Sequence, residues 1–177
     1  MSKQPAFQIL VVDIQESFQP HIANYQHIVE TAHKLLSAAE LLAIPAVVFE
    51  QYPKGLGHTD SSLLQFNLDR YEKTTFSAVR GSEPNPTINM DPNVTKVVIG
   101  LESHVCVYQT VCDLLTLAQP VIVIADAVGS RNTQHKQWAI EQLRYQGAVI
   151  MSLETLLFDI LKDAKHPQFK AVSKLIR

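Results

Sequence analysis

Along the chain, short unbroken apolar runs alternate with longer stretches whose apolar residues recur at three- and four-residue steps. Phe7 to Val12 (FQILVV) is the first run and stops at Asp13, as a strand buried on both faces would. From Asn24 to Ala43, the residues Ile28, Val29, Ala32, Leu35, Leu36, Ala39 and Leu42 lie on one helical stripe, with Asn24 placed to cap its start. Pro45 opens a second strand, AVVFEQ, and Pro53, Gly55 and Gly57 mark the loop after it. Arg80 to Pro92 holds Gly81, Pro84, Pro86 and Pro92 and reads as a long irregular connection. Thr95 to Leu101 (TKVVIGL) is a third strand, followed by a helical stretch from Ser103 to Ala118. A fourth strand, VIVIAD, follows Pro120, and a helix from Thr133 to Gln146 ends at Gly147. A short strand (AVIM), a helix from Leu153 to Lys162 and a terminal helix after Pro167 complete the pattern.

This order predicts an α/β fold, a mostly parallel sheet with helices on both faces, because parallel neighbours need crossover connections. No repeat or linker divides the chain, and 177 residues suit one core, so residues 1–177 read as a single domain. Ligands of such sheets bind beyond the carboxyl ends of the strands, which directs attention to the residues just after each run.

Charge and composition narrow the classes. Fifteen Lys and Arg against 17 Asp and Glu, without a basic cluster, give no electrostatic reason to expect nucleic acid. No apolar run approaches the ~20 residues needed to span a bilayer. MSKQPAFQ lacks a basic region followed by an apolar one, so a cytoplasmic protein is expected. Two cysteines are too few for a disulfide framework.

The turn after the first strand, Asp13 to Pro20, contains no glycine, and no Gly-Lys-Ser/Thr or Gly-x-Ser-x-Gly occurs anywhere. Dinucleotide, P-loop and serine-hydrolase sites are therefore not indicated. What the strand ends do carry is an acid, a lysine and a thiol. Asp13 closes the first strand, Lys73 follows Arg70-Tyr71-Glu72 in a short extended segment, and Cys106 lies five residues past Leu101. Placement at a helix start beside an ammonium predicts a lowered thiol pKa. From the residues alone, a cysteine so placed is more often a small buried apolar group, an Asp at a strand end a cap or turn brace, and a lysine such as Lys73 a solvated surface residue. Cys112, six residues on and ~240° around a helix, reads as packing among Val111, Leu114 and Leu115.

LVVDIQESF around Asp13, YEKTTFSAV around Lys73 and VVIGLESHVCVYQTVCDLL around Cys106 resemble the three signature segments of the isochorismatase-like cysteine hydrolases. EQYPKGLGHT, IADAVGSR and HPQFKAVSKLI further resemble the isochorismatase domain-containing protein 2 subgroup, over nearly the whole chain and in the right order. The resemblance implies a Rossmann-like three-layer sandwich with about six strands and an Asp13–Lys73–Cys106 triad. It also implies a cis peptide at Leu101–Glu102, whose backbone N–H groups would form an oxyanion hole with that of Cys106. The implied chemistry is hydrolysis of an amide-type C–N bond in a small-molecule substrate through a thioester. The alternative is a binding or regulatory protein that keeps the fold without useful turnover.

Nicotinamidase-like relatives hold a metal through an Asp-x-His pair and a further His. Here Glu50-Gln51-Tyr52 stands in that place and His58 is alone, so neither metal nor cofactor is expected. Gln15, Phe18, Tyr52 and Tyr108 are candidate pocket walls by closeness to the triad positions, and His104 a candidate for the pocket mouth. His21, His27, His33, His135 and His166 have no partners at ligand spacing. The apolar side of AVSKLI and the resemblance together imply a homo-oligomer, a dimer or larger.

Overall fold

The computed structural model describes residues 6–81 and 87–177. Six strands form one sheet: β1 (Ala6–Val12), β2 (Ala46–Gln51), β3 (Arg70–Lys73), β4 (Val94–Leu101), β5 (Val121–Gly129) and β6 (Val149–Met151). Their spatial order is β3-β2-β1-β4-β5-β6, and every neighbouring pair is parallel. The helices are α1 (Tyr25–Leu42), α2 (Pro53–Leu56), α3 (Cys106–Thr116), α4 (Thr133–Tyr145), α5 (Leu153–Leu161) and α6 (Phe169–Leu175).

The unbroken apolar runs are explained by burial on both faces. Ile9 and Val11 of β1, Val97, Ile99 and Leu101 of β4, and Ile122 and Ile124 of β5 face a core built with α1, α5 and α6. Leu10, Val12, Val98, Val121 and Val123 alternate onto the opposite core, with Val107, Val111 and Leu114 of α3 and Leu143 of α4.

Several expectations shift at their edges. Asn24 occupies the N-cap of α1, but its side chain makes no capping bond. The expected loops contain short helical turns: 3-10 turns at Glu16–His21 and Ser61–Phe66, and α2 within the Pro53–Gly57 segment. The helix expected from Ser103 starts only at Cys106, because 103–105 form a tight turn in which Val105 N–H donates to Glu102 O at 3.0 Å. Of the expected Arg80–Pro92 connection, residues 82–86 lie outside the described residues, and the rest has no regular structure.

Two features of the sheet shape the site. The chain winds one way from β1 to β3 and the other from β4 to β6, so the topological switch lies between β1 and β4. There Val12 pairs with Gly100, whose φ is +139°. A Cβ on Gly100 would sit 1.9 Å from Val12 O, so only glycine permits these two backbones to approach. In β5 the register shifts between the Val98–Val123 and Gly100–Val128 pairs, and the bulge turns Asp126 to accept the Leu153 N–H at the start of α5.

Candidate active site

Asp13 follows β1, Cys106 opens α3 after β4, and Lys73 ends β3, so all three lie at carboxyl strand ends. β3 stands two strand spacings from β1, about 10 Å. A lysine is long enough to cross above β2, and Lys73 does so. Its Nζ donates to Asp13 Oδ2 at 2.8 Å and, on the way, to Gln51 Oε1 at 2.7 Å, Gln51 being its register partner in β2. Phe76 O at 2.9 Å and Thr75 O at 3.3 Å complete a cradle of acceptors around the ammonium. The pair is closed to solvent, the side chains being 2% and 0% exposed.

Asp13 is held in a left-handed conformation (φ 55°), with its N–H donating to Phe49 O and its carbonyl accepting from Gln15 N–H. Such a conformation outside glycine, in a buried acid, is a form of strain that concentrates at functional sites. One carboxylate oxygen, Oδ1, has no hydrogen bond of good geometry. The Cys106 thiol, 6% exposed, lies close enough to interact electrostatically with this carboxylate.

The expected lowering of the Cys106 pKa is reversed. Burial pushes the thiol up first, the Asp13 charge adds to it, and Lys73 only partly opposes them. Burial likewise raises Asp13 against the pull of Lys73. One cation in a dry site supports one anion, so Asp13 and Cys106 favour sharing a single proton, and burial favours the Cys106 thiol over its thiolate.

Of the candidate walls, Tyr52 lines a pocket of about 350 Å³ together with Lys73, Lys54, Glu72 and Thr74. Gln15 is no wall: fully buried, it accepts from Gln51 N–H at 2.8 Å and donates to Gln51 O and Gly57 O. It braces the backbone of Gln51, whose side-chain amide supports Lys73. Phe18 packs on the α1 core. Tyr108, two residues past Cys106 and so on another helical face, accepts at its hydroxyl from Gln146 Nε2 at 3.2 Å. Cys112 belongs to the same cluster, its Sγ 3.0 Å from Gln146 Oε1, and is half-buried instead of fully packed in the core. His104 lies 3.2 Å from Glu102 and 3.0 Å from Ser130 Oγ, and its ring sits tilted 5.0 Å from that of His135, which stacks on Trp138. His33 also has partners, in Gln65 and Phe66.

His58 is not alone either. It lies 3.2 Å from Glu50 Oε2, while Thr59 donates twice to Oε1 at 2.8 and 2.6 Å. Both oxygens of Glu50 are thus engaged, and no three His, Cys, Asp or Glu side chains converge as metal ligands among the described residues. The residue that sequence reasoning missed is Gln51. Its signal was positional, the last residue of the second strand, but a glutamine carries no chemistry that marks it.

The profile of the isochorismatase domain matches residues 7–155. The chain belongs to the isochorismatase family. It is 36% identical over 168 residues to isochorismatase domain-containing protein 2 of Danio rerio, covering 95% of this chain and 85% of that one. Among solved structures, the MAR1 ribonuclease of Caenorhabditis elegans matches with a TM-score of 0.88 at 35% identity, over 98% of this chain and 91% of that one. The YcaC gene product of Escherichia coli, described as an octameric hydrolase of unknown specificity, matches with a TM-score of 0.89 at 15% identity, over 98% and 88% of the two chains, and shares the fold. The family profile ends at 155, yet α6 buries Val172 in the same core as α1. No helix of the described residues is long and apolar enough to cross a membrane.

Proposed function

We propose that this protein is a cysteine hydrolase that cleaves an amide-type C–N bond of a small molecule, with Asp13, Lys73 and Cys106 as its triad. The observation that carries the reading is the buried Lys73–Asp13 pair beside the buried Cys106 thiol. As Cys106 Sγ attacks the carbonyl carbon, its proton passes to Asp13, and Lys73 offsets the charge of the site. The tetrahedral oxyanion takes the N–H of Cys106, which as the first residue of α3 has no intrahelical acceptor, and backbone N–H groups at Leu101–Glu102. Collapse breaks the C–N bond, and the amine leaves with the proton from Asp13. Water then attacks the thioester, gives its proton to Asp13, and the acid is released as the thiol is restored.

No cofactor enters this scheme. The near balance of 15 cationic and 17 anionic side chains favours a small, weakly charged substrate. Two free cysteines suit a reducing compartment, the cytoplasm, and a homo-oligomer is the expected assembly.

The test is a screen of amides, ureides and hydroxamates against wild type and Cys106→Ala, with mass spectrometry for a covalent acyl-enzyme. Turnover by wild type and an adduct on Cys106 support the reading; turnover that survives Cys106→Ala overturns it. The name of the Caenorhabditis elegans relative brings in a second reading, RNA cleavage. Cleavage of a single-stranded RNA by wild type, lost in Cys106→Ala, would put RNA in place of the small molecule.

A further inference from the structure

Three buried side-chain oxygens among the described residues lack a hydrogen bond of good geometry: Asp13 Oδ1, Glu102 Oε1 and Ser103 Oγ. All sit at the carboxyl ends of β1 and β4, on either side of the switch point. Buried polar atoms without a well-aligned hydrogen bond are uncommon and call for an explanation. The triad accounts for Asp13, but nothing in the chemistry above uses the Glu102 carboxylate.

Glu102 lies four residues before Cys106, with a side chain only 6% exposed. Its partners come from the next strand end. Arg131 Nε approaches Oε1 to 2.7 Å as an ion pair whose N–H is not aimed at the oxygen, and the Arg131 backbone N–H donates to Oε2 at 3.3 Å. His104 Nδ1 is 3.2 Å from the same Oε2. The backbone adds a further stitch, Ser103 N–H to Gly129 O at 2.7 Å. Behind His104 stand His135 at 5.0 Å between ring centres and Trp138 at 5.8 Å from His135, so α4 backs the unit. The turn that presents Cys106 is thereby tied to the end of β5.

We propose that Glu102 is a positioning residue of the thiol site: gripped by Arg131 and His104, its carboxylate fixes the turn bearing Cys106 and sets a second negative charge beside the nucleophile. This rests on the cysteine-hydrolase reading for its consequence in turnover, though not for its test. The charged groups that face Cys106 are Asp13 from β1, Lys73 from β3 and Glu102 from the turn. Those that face His104 on the far side are Glu102, His135 of α4 and Arg131. Removing the Glu102 charge favours the thiolate, whereas removing Arg131 leaves Glu102 unscreened and disfavours it. A role confined to bracing would loosen the turn in both variants and move the thiol's reactivity in the same direction.

The experiment measures iodoacetamide alkylation of Cys106 at fixed pH between about 7 and 8.5, where the rate follows the thiolate fraction. Peptide mapping scores Cys112 separately. Relative to wild type, Glu102→Gln is expected to react about twofold faster, less than on removal of the nearer Asp13 charge, and Arg131→Met about twofold slower. Shifts of the same sign in both variants, or no shift in either, overturn the proposal. The Arg131 side chain is 63% exposed, so Arg131→Met folds even where Glu102→Gln does not, and a faster or unchanged rate in that variant alone is enough to refute it. The hydrolase reading fails separately, on the substrate screen, and leaves these rates as they are.

Discussion

Replacing Lys73 with methionine keeps the length and volume of the side chain and removes its charge. Asp13 then loses the partner of Oδ2 and keeps an unpaired Oδ1, so a buried carboxylate stands uncompensated at 0% exposure. Breaking such a pair from one side costs about 3–5 kcal/mol. At about 2–4 °C per kcal/mol for a chain of this size, the melting temperature falls by roughly 6–20 °C. Asp13→Asn costs less, because Lys73 retains Gln51 Oε1 and two backbone carbonyls as acceptors. The double variant Asp13→Asn/Lys73→Met carries no buried charge in the pair and is more stable than Lys73→Met alone. The deficit of Lys73→Met depends on pH with a fixed sign. The folded-state pKa of Asp13 lies above its unfolded value, so protonation favours the folded state, and the loss is greatest at neutral pH and shrinks on acidification. Urea denaturation of the four proteins at pH 5 and 7.5 measures all of these terms. A loss below about 1 kcal/mol in Lys73→Met, or a double variant no more stable than it, would show that the pair does not carry the charge balance of the site.

Asp13→Asn removes the anion that raises the Cys106 thiol, so alkylation at pH 7.5 speeds up severalfold while hydrolysis is lost; slower alkylation would contradict the shared proton. Gly100→Ala drives a methyl against Val12 O and yields insoluble protein or a loss above about 4 kcal/mol, checked by soluble expression and thermal melting. Burial holds His104 below the ordinary histidine range against the pull of Glu102, so its contribution is present above about pH 6.5 and lost as pH falls further. His104→Asn should therefore flatten the fall in stability between pH 7 and 5, and an unchanged slope would assign that fall to other groups.

The sequence makes the central strands plain because burial on both faces demands unbroken apolar runs, and it makes Asp13 legible as the residue that ends the first and Cys106 as the start of the helix after β4. β3 is different. Its burial is confined to Lys73, with Arg70, Tyr71 and Glu72 exposed, so an edge strand carries no apolar period to read. Lys73 could be named as a candidate, but its reach across β2 to Asp13 depends on a pairing that only the folded sheet displays. The wall candidates Phe18 and Tyr108 rest on closeness along the chain, which does not fix where a side chain points: Phe18 packs on the α1 core, and Tyr108, two residues past Cys106, faces another side of α3. The sign of the Cys106 shift was illegible for another. A helix start and a lysine could be inferred, but the depth of burial that outweighs them could not.

The winding of the sheet divides the site in a useful way. Asp13, Gln51 and Lys73 come from the β1–β3 half, and Cys106, Glu102 and Arg131 from the β4–β6 half, joined along the β1–β4 seam. Neither half holds both an acid–lysine pair and a thiol. Of two separately expressed fragments divided between β3 and β4, neither would hold the whole triad; in the β4–β6 fragment Cys106 would react as an ordinary exposed thiol, and its alkylation would slow only as β1 pairs with β4 and buries it beside Asp13. Cys106 is thus a built-in reporter of fragment complementation.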